Sequence, residues 1–216
     1  MLGNNDEWRF VHLPNTPLLN CKLSPHAIKR LWKYIESAKQ NKVRHNKNLV
    51  GNISESLLLE DTNNYFFNNH LKRPCEDYLT SNRISSSRNP FHNREYPVNL
   101  YMPEFWVNFS KKHEFNPPHT HTGVLSFVVW MAIPTEYRDQ YKLPHCLDSG
   151  SPSASDFAFS YTSIGGEIMH FSIPMGKESE GMMYVFPSTL YHQVHPFYEC
   201  DEERVSISGN LFLEAA

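Results

Sequence analysis

Apolar residues recur with helical spacing in the first third of the chain, and with strand spacing from about residue 98 onward. Ile28, Leu31, Trp32 and Ile35 stand at i, i+3, i+4 and i+7, the stripe of an amphipathic helix. Ser24 is placed to cap it and Pro25 to open its first turn, while Lys29, Arg30 and Lys33 fall off the stripe toward water. A second helical stretch runs over residues 62–81, where Phe67, Leu71, Cys75, Tyr78 and Leu79 share a face. Pro74 interrupts it and predicts a kink or a fresh helix start. Residues 81–97, with Ser85-Ser86-Ser87 and Asn89-Pro90, read as a polar connection.

Strands are predicted over residues 105–109, 125–133, 157–161, 167–173, 182–186, 193–198 and 204–213, where apolar, β-branched and aromatic residues alternate or cluster. Asn116-Pro117-Pro118 and Gly165-Gly166 read as turns between them. Short strands at this spacing predict a sandwich or barrel-like double sheet. Residues 135–156 break the rhythm with Pro144, Pro152 and a Ser-Gly-Ser run, and a loop of this length reads as either a solvent loop or a lid that chooses substrate. The expected architecture is mainly β with N-terminal helices. It forms one domain over 1–216, with residues 1–97 as helical support and 98–216 as the β core.

Composition narrows the function classes. The 216 residues include 40% apolar and 13% aromatic residues, enough for a sizeable core. A net charge of −3 gives no general field for nucleic acid or anionic lipid. No apolar run approaches the roughly 18–20 residues of a membrane span, and Met1 to Glu7 lacks the features of a signal peptide. Cys21, Cys75, Cys146 and Cys200 lie far apart with no CxxC pair, which predicts free thiols in a reducing cytoplasm and argues against a cysteine zinc site. Of twelve histidines, His12, His26, His45, His70 and His92 stand singly among polar neighbours and read as surface residues.

Spacing singles out others. If the backbone is extended, His119 and His121 point the same way, and an i,i+2 pair of neutral imidazoles suits a transition metal. The alternative is a pair of solvated loop residues after Pro117-Pro118. His192 follows an apolar strand and opens the next, with His195 sent to the opposite face by the period of two. In the last strand Arg204, Ser206 and Ser208 share one face, and Val205 and Ile207 the other. A guanidinium binds a carboxylate bidentately and a hydroxyl two residues on can assist. An ion pair from Arg204 to Glu202 or Glu203 is the competing reading.

Together these residues resemble the 2-oxoglutarate and Fe(II)-dependent oxygenases, and more narrowly the oxygenases of marine phages and bacteria that carry a His-x-His motif. The matching stretches are Phe115 to Gly123, Leu125-Ser126-Phe127, Phe186-Pro187-Ser188, His192 with Val194 and Pro196, and Arg204 to Ser208. They span most of residues 98–214, and Leu49 to Ile53 also resembles that group. The resemblance implies a double-stranded β-helix (a jelly-roll of two sheets) with helices bracing one sheet. It implies Fe(II), 2-oxoglutarate and O2, with His119 and His192 as iron ligands and Arg204, helped by Ser206, at the far carboxylate of the keto acid. Family members couple decarboxylation of the keto acid to oxidation of a substrate C–H bond. The wider superfamily has an acid at the position of His121. With His121 as third ligand the centre carries one more positive charge, which favours a dianionic keto acid.

Asn108 and Ser126 are expected contacts within the pocket. A zinc hydrolase or lyase would use the same three imidazoles without needing Arg204 and Ser206. A non-catalytic jelly-roll binding module is a third reading. The substrate is open between a protein side chain and a small metabolite, nucleic acid is disfavoured, and the sequence does not fix homo-oligomerisation.

Overall fold

The computed structural model describes residues 15, 17–81 and 98–215. The predicted connection, apart from its first residue Ser81, the first residues of the chain, His12 and His92 lie outside them. Helix α1 (Pro25–Asn41) starts where its cap requires. Ser24 is extended (φ −64°, ψ 153°) and its Oγ accepts from the Ala27 N–H at 3.2 Å, which satisfies one of the free donors of the first turn. The second helical stretch ends in α2 (Lys72–Ser81), entered directly from a π turn over Phe67–Leu71. Pro74 has no N–H for the carbonyl four residues back. The wide turn just before it takes up that loss, and the helix runs on without a new start.

The strands are β1 (Leu19–Lys22), β2 (Glu55–Leu59), β3 (Val98–Tyr101), β4 (Phe105–Ser110), β5 (Asn116–His119), β6 (Leu125–Ala132), β7 (Phe157–Thr162), β8 (Ile168–Ile173), β9 (Met182–Pro187), β10 (Tyr191–Val194) and β11 (Arg204–Ala215). Among the described residues they form two antiparallel sheets. The larger runs β1-β9-β6-β11-β4-β2, with β3 also on β11, and the smaller runs β5-β10-β7-β8. The N-terminal part is therefore not all helical, since β1 and β2 close the two ends of the larger sheet. Asn116-Pro117-Pro118 is strand rather than turn. β5 is an edge strand, and an edge tolerates the missing N–H groups of two prolines. The expected strand over 193–198 instead starts at Tyr191 and ends at Val194, just before Pro196, so His192 lies inside it.

Val205, Ile207 and Leu211 of β11 share a buried cluster with Leu31, Ile35 and Leu71 from the helices. Burying each such side chain contributes on the order of 2 kcal/mol. A slip of one residue would expose that stripe, so the apolar face fixes the register and commits Arg204, Ser206 and Ser208 to the space between the sheets. A second cluster there contains Val128, Trp130, Phe157, Phe159, Phe186 and Val194.

Residues 135–156 carry two short helices, α3 (Tyr137–Gln140) and α4 (Pro144–Leu147). The segment is pinned. Gln140 Nε2 donates to the Tyr198 carbonyl at 3.0 Å, Gln140 Oε1 accepts from the Tyr198 N–H at 2.8 Å, and the Tyr141 hydroxyl donates to Asp156 at 2.6 Å. None of these residues lines the cavity described below. The four cysteines are free, and among the described residues no helix is long and apolar enough to cross a membrane.

Candidate metal centre

His119 ends β5 and His192 is the second residue of β10, and the two face each other directly across the pair of strands. Their ring centroids lie 4.2 Å apart. His121 follows two residues after His119, beyond the end of the strand. Its backbone N–H donates to the Ser188 carbonyl at 2.7 Å, which brings its ring back to the other two. One nitrogen from each ring lies within 4.8 Å of the others.

The backbone sets the ring tautomers. His119 Nδ1 lies 2.7 Å from the Pro117 carbonyl and His192 Nδ1 lies 2.9 Å from the Leu190 carbonyl. A carbonyl can only accept, so both Nδ1 atoms carry the hydrogen and both Nε2 atoms keep a lone pair. His121 Nε2 lies 3.1 Å from His192 Nε2. Burial, then the charge of a protonated His119, pushes His192 down to about 3 and His121 to about 4, and burial also lowers His119. All three rings are neutral at pH 7, the form a metal requires. Phe186, 4.7 Å from His192 between ring centroids, gives them an apolar backing.

The rings open on a cavity of about 300 Å³ between the sheets. On the larger sheet it is lined by Asn108, Ser206, Ser208 and Asn210. Ser206 stands cross-strand from Asn108. Asn108 Oδ1 accepts from the buried Ser56 hydroxyl of β2 at 2.7 Å. Ser126 does not line the cavity as expected. It sits one layer behind, donating to Asn210 Oδ1 at 2.8 Å.

Arg204 is 2% exposed, and its hydrogen bonds go to backbone carbonyls rather than to Glu202 or Glu203, the competing reading. Its Nη1 donates to the carbonyls of His195 at 3.0 Å and Ser155 at 3.4 Å, while Nη2 is buried without a hydrogen-bond partner. Burial lowers its pKa to about 10, which leaves it charged at neutral pH. The guanidinium packs 5.9 Å from the Trp130 ring and 5.2 Å from that of Phe197. Trp130 lines the cavity, and Arg204 reaches that lining through its contact with the Trp130 ring. A buried cationic donor without an acceptor is unfavourable, and a carboxylate is the group that would complete it.

His192 and His195 part as the strand period requires. His195 Nε2 meets Gln193 and its carbonyl serves Arg204. Sequence reasoning missed His45, taken as a surface residue. It is 5% exposed, stacks on Trp106 at 5.1 Å and lines the cavity with Asn48, Gly51 and Glu104. Trp106 could have been found, since it lies two residues before Asn108 and shares its face. Nothing local in the sequence marks His45.

Residues 104–210 match the family described as "Putative 2OG-Fe(II) oxygenase". Among solved structures, an oxidoreductase of the 2OG-Fe(II) oxygenase family from Burkholderia pseudomallei is 11% identical with a TM-score of 0.51, covering 90% of this chain and 85% of that one. A non-haem α-ketoglutarate-dependent epimerase from nogalamycin biosynthesis is 12% identical with a TM-score of 0.50, covering 90% of this chain and 76% of that one. No curated protein matches the sequence.

Proposed function

We propose, for a chain whose residues 104–210 belong to the 2-oxoglutarate and Fe(II)-dependent oxygenases, that it hydroxylates a C–H bond of a protein side chain or small metabolite. Membership implies Fe(II), 2-oxoglutarate and O2. The two sheets form the family's double-stranded β-helix within one domain over residues 1–216, with α1 and α2 bracing the larger sheet.

His119, His121 and His192 hold the iron in this reading, and Arg204 with Ser206 receives the far carboxylate of the keto acid. The donor set fits the metal, because three neutral imidazole nitrogens converge and two of the rings are held by backbone carbonyls. When bound, iron supplies oxygen activation coupled to decarboxylation of the keto acid. The residues of the chain orient and shield. The Pro117 and Leu190 carbonyls fix two rings, and Phe186 limits water on their far side. Asn108 lines the cavity beside Ser206.

One observation carries the proposal: three histidines that could hold a metal ion line a cavity, and a buried guanidinium with an unused donor packs against Trp130 in its wall. A zinc hydrolase leaves that guanidinium without a task. The test is anaerobic addition of Fe(II) and 2-oxoglutarate. A weak visible charge-transfer band is expected with the wild type. It should be absent for His192→Ala and recovered only at much higher 2-oxoglutarate for Arg204→Ala. No band from the iron-loaded wild type at millimolar 2-oxoglutarate would overturn the reading.

A further inference from the structure

We infer that the outer part of the cavity selects a substrate bearing an aliphatic ammonium or guanidinium group, a lysine- or arginine-like side chain, with Glu104 as the residue that reads its charge. The inference rests on the oxygenase reading for what is done to that substrate, but not for how it is bound.

The lining divides by exposure. Trp130, Phe157, Phe186, Val194 and Ser206 close the inner end, toward Arg204. Asn48, Val50, Glu104, Thr120 and Thr122 are exposed and form the mouth. If an acidic cosubstrate occupies the inner end, the mouth is where a second molecule enters. Glu104 is the one carboxylate among the lining residues, and among the described residues no Lys or Arg lines the cavity. An anionic or phosphorylated substrate would find no counter-charge at the mouth and one repelling group.

The surroundings suit a charge on an apolar stem. Leu49 and Val50 line the same cavity as Glu104. Glu104 and Trp106 line the same cavity two residues apart, about 7 Å along an extended strand. Trp106 in turn lies 6.4 Å from the His121 ring between centroids. A stem of four or five atoms anchored at Glu104 therefore reaches along Trp106 toward the triad. The carboxylate's existing partner is weak, since His45 Nε2 lies 3.6 Å away, and the Glu104 side chain is 48% exposed.

The wall is also built in advance. Asn46 Nδ2 donates to the Ile53 carbonyl at 2.9 Å and its Oδ1 accepts from the Ser56 N–H at 3.0 Å, closing the loop on itself. The Asn52 N–H donates to the Phe115 carbonyl at 2.8 Å, tying the loop to the approach to β5. A Cβ added at Gly51 would meet the side-chain oxygen of Asn116, so the loop packs closely against β5 there.

The experiment is calorimetric titration of the purified full chain, with and without Mn(II) and 2-oxoglutarate. The probes are Nα-acetyl-lysine methylamide, Nα-acetyl-arginine methylamide and Nα-acetyl-glutamate methylamide. The two cationic probes are expected to bind about three- to tenfold more tightly than the acidic one, the range of a half-exposed ion pair. Glu104→Gln should erase that preference and Glu104→Lys reverse it, with circular dichroism unchanged. Equal or tighter binding of the glutamate probe, failure of the cationic probes to bind at millimolar concentration, or a preference that survives Glu104→Gln would each overturn the inference. The iron–keto acid band is read on the same samples. Its absence alongside an intact cation preference would count against the oxygenase and not against this site.

Discussion

The two walls of the cavity solve opposite problems. On the smaller sheet, two of the three histidine rings have one nitrogen satisfied by a backbone carbonyl two residues upstream and the other directed inward. Little there is left to rearrange when a cation arrives. On the larger sheet, Arg204 keeps one of its nitrogens buried and unpaired, a charge taken from water ahead of its partner. The first wall is satisfied as it stands; the second is completed only by a ligand. A site that binds in sequence, metal and then acid, would be arranged this way.

The largest break in this comparison should come on the histidine side. His192→Ala or His119→Ala is expected to abolish stoichiometric iron binding, read by metal analysis after anaerobic loading, because two nitrogens cannot hold the ion as three do. On the arginine side, Arg204→Ala should leave iron content intact and weaken 2-oxoglutarate about 10²-fold, the range for removing one partner of a buried charged pair. Titration of the charge-transfer band measures it. Unchanged keto-acid affinity would refute the role of Arg204.

Acid should separate the walls as well. The folded pKa values of His192 and His121 lie below the ordinary histidine value, so their contribution to stability is present above about pH 6.5 and lost as pH falls toward about 3 and about 4. Down that window the unfolded chain takes up protons that the folded chain refuses, at up to about 1.4 kcal/mol per pH unit and ring. Urea midpoints of the metal-free protein should fall between pH 7 and pH 5, and less steeply for His192→Gln. Arg204 stays charged throughout that range and adds nothing to the slope. The smallest effect is expected for His121→Asp. Iron should be retained and the keto acid weakened several-fold, since one positive charge is removed from the centre. Loss of iron in this variant would show that the site is built for three rings.

Much of this was legible in sequence because it depends on period. The i,i+2 rule placed Arg204 and Ser206 opposite Val205 and Ile207, and it separated His192 from His195. The Ser24 cap was legible because it is local. The carbonyls that hold the rings were not, since every residue has one and only the fold decides which lies within reach. β5 was hidden by Pro117-Pro118, which signal a turn unless the strand is known to be an edge. β2 lay in a segment read as helical, and its part in the site, Ser56 on Asn108, spans 52 residues of sequence. His45 is a similar case, buried by a stacking partner 61 positions away that no local pattern announces.

Trp130 has a consequence of its own. Its indole ring lines the cavity 5.9 Å from the guanidinium of Arg204, and its buried N–H has no hydrogen-bond partner. Neutralising that guanidinium changes the electric field across the chromophore. If Arg204 receives an acid as proposed, its arrival registers in the indole emission, and subtracting the emission of a Trp130→Phe variant isolates that signal without any label.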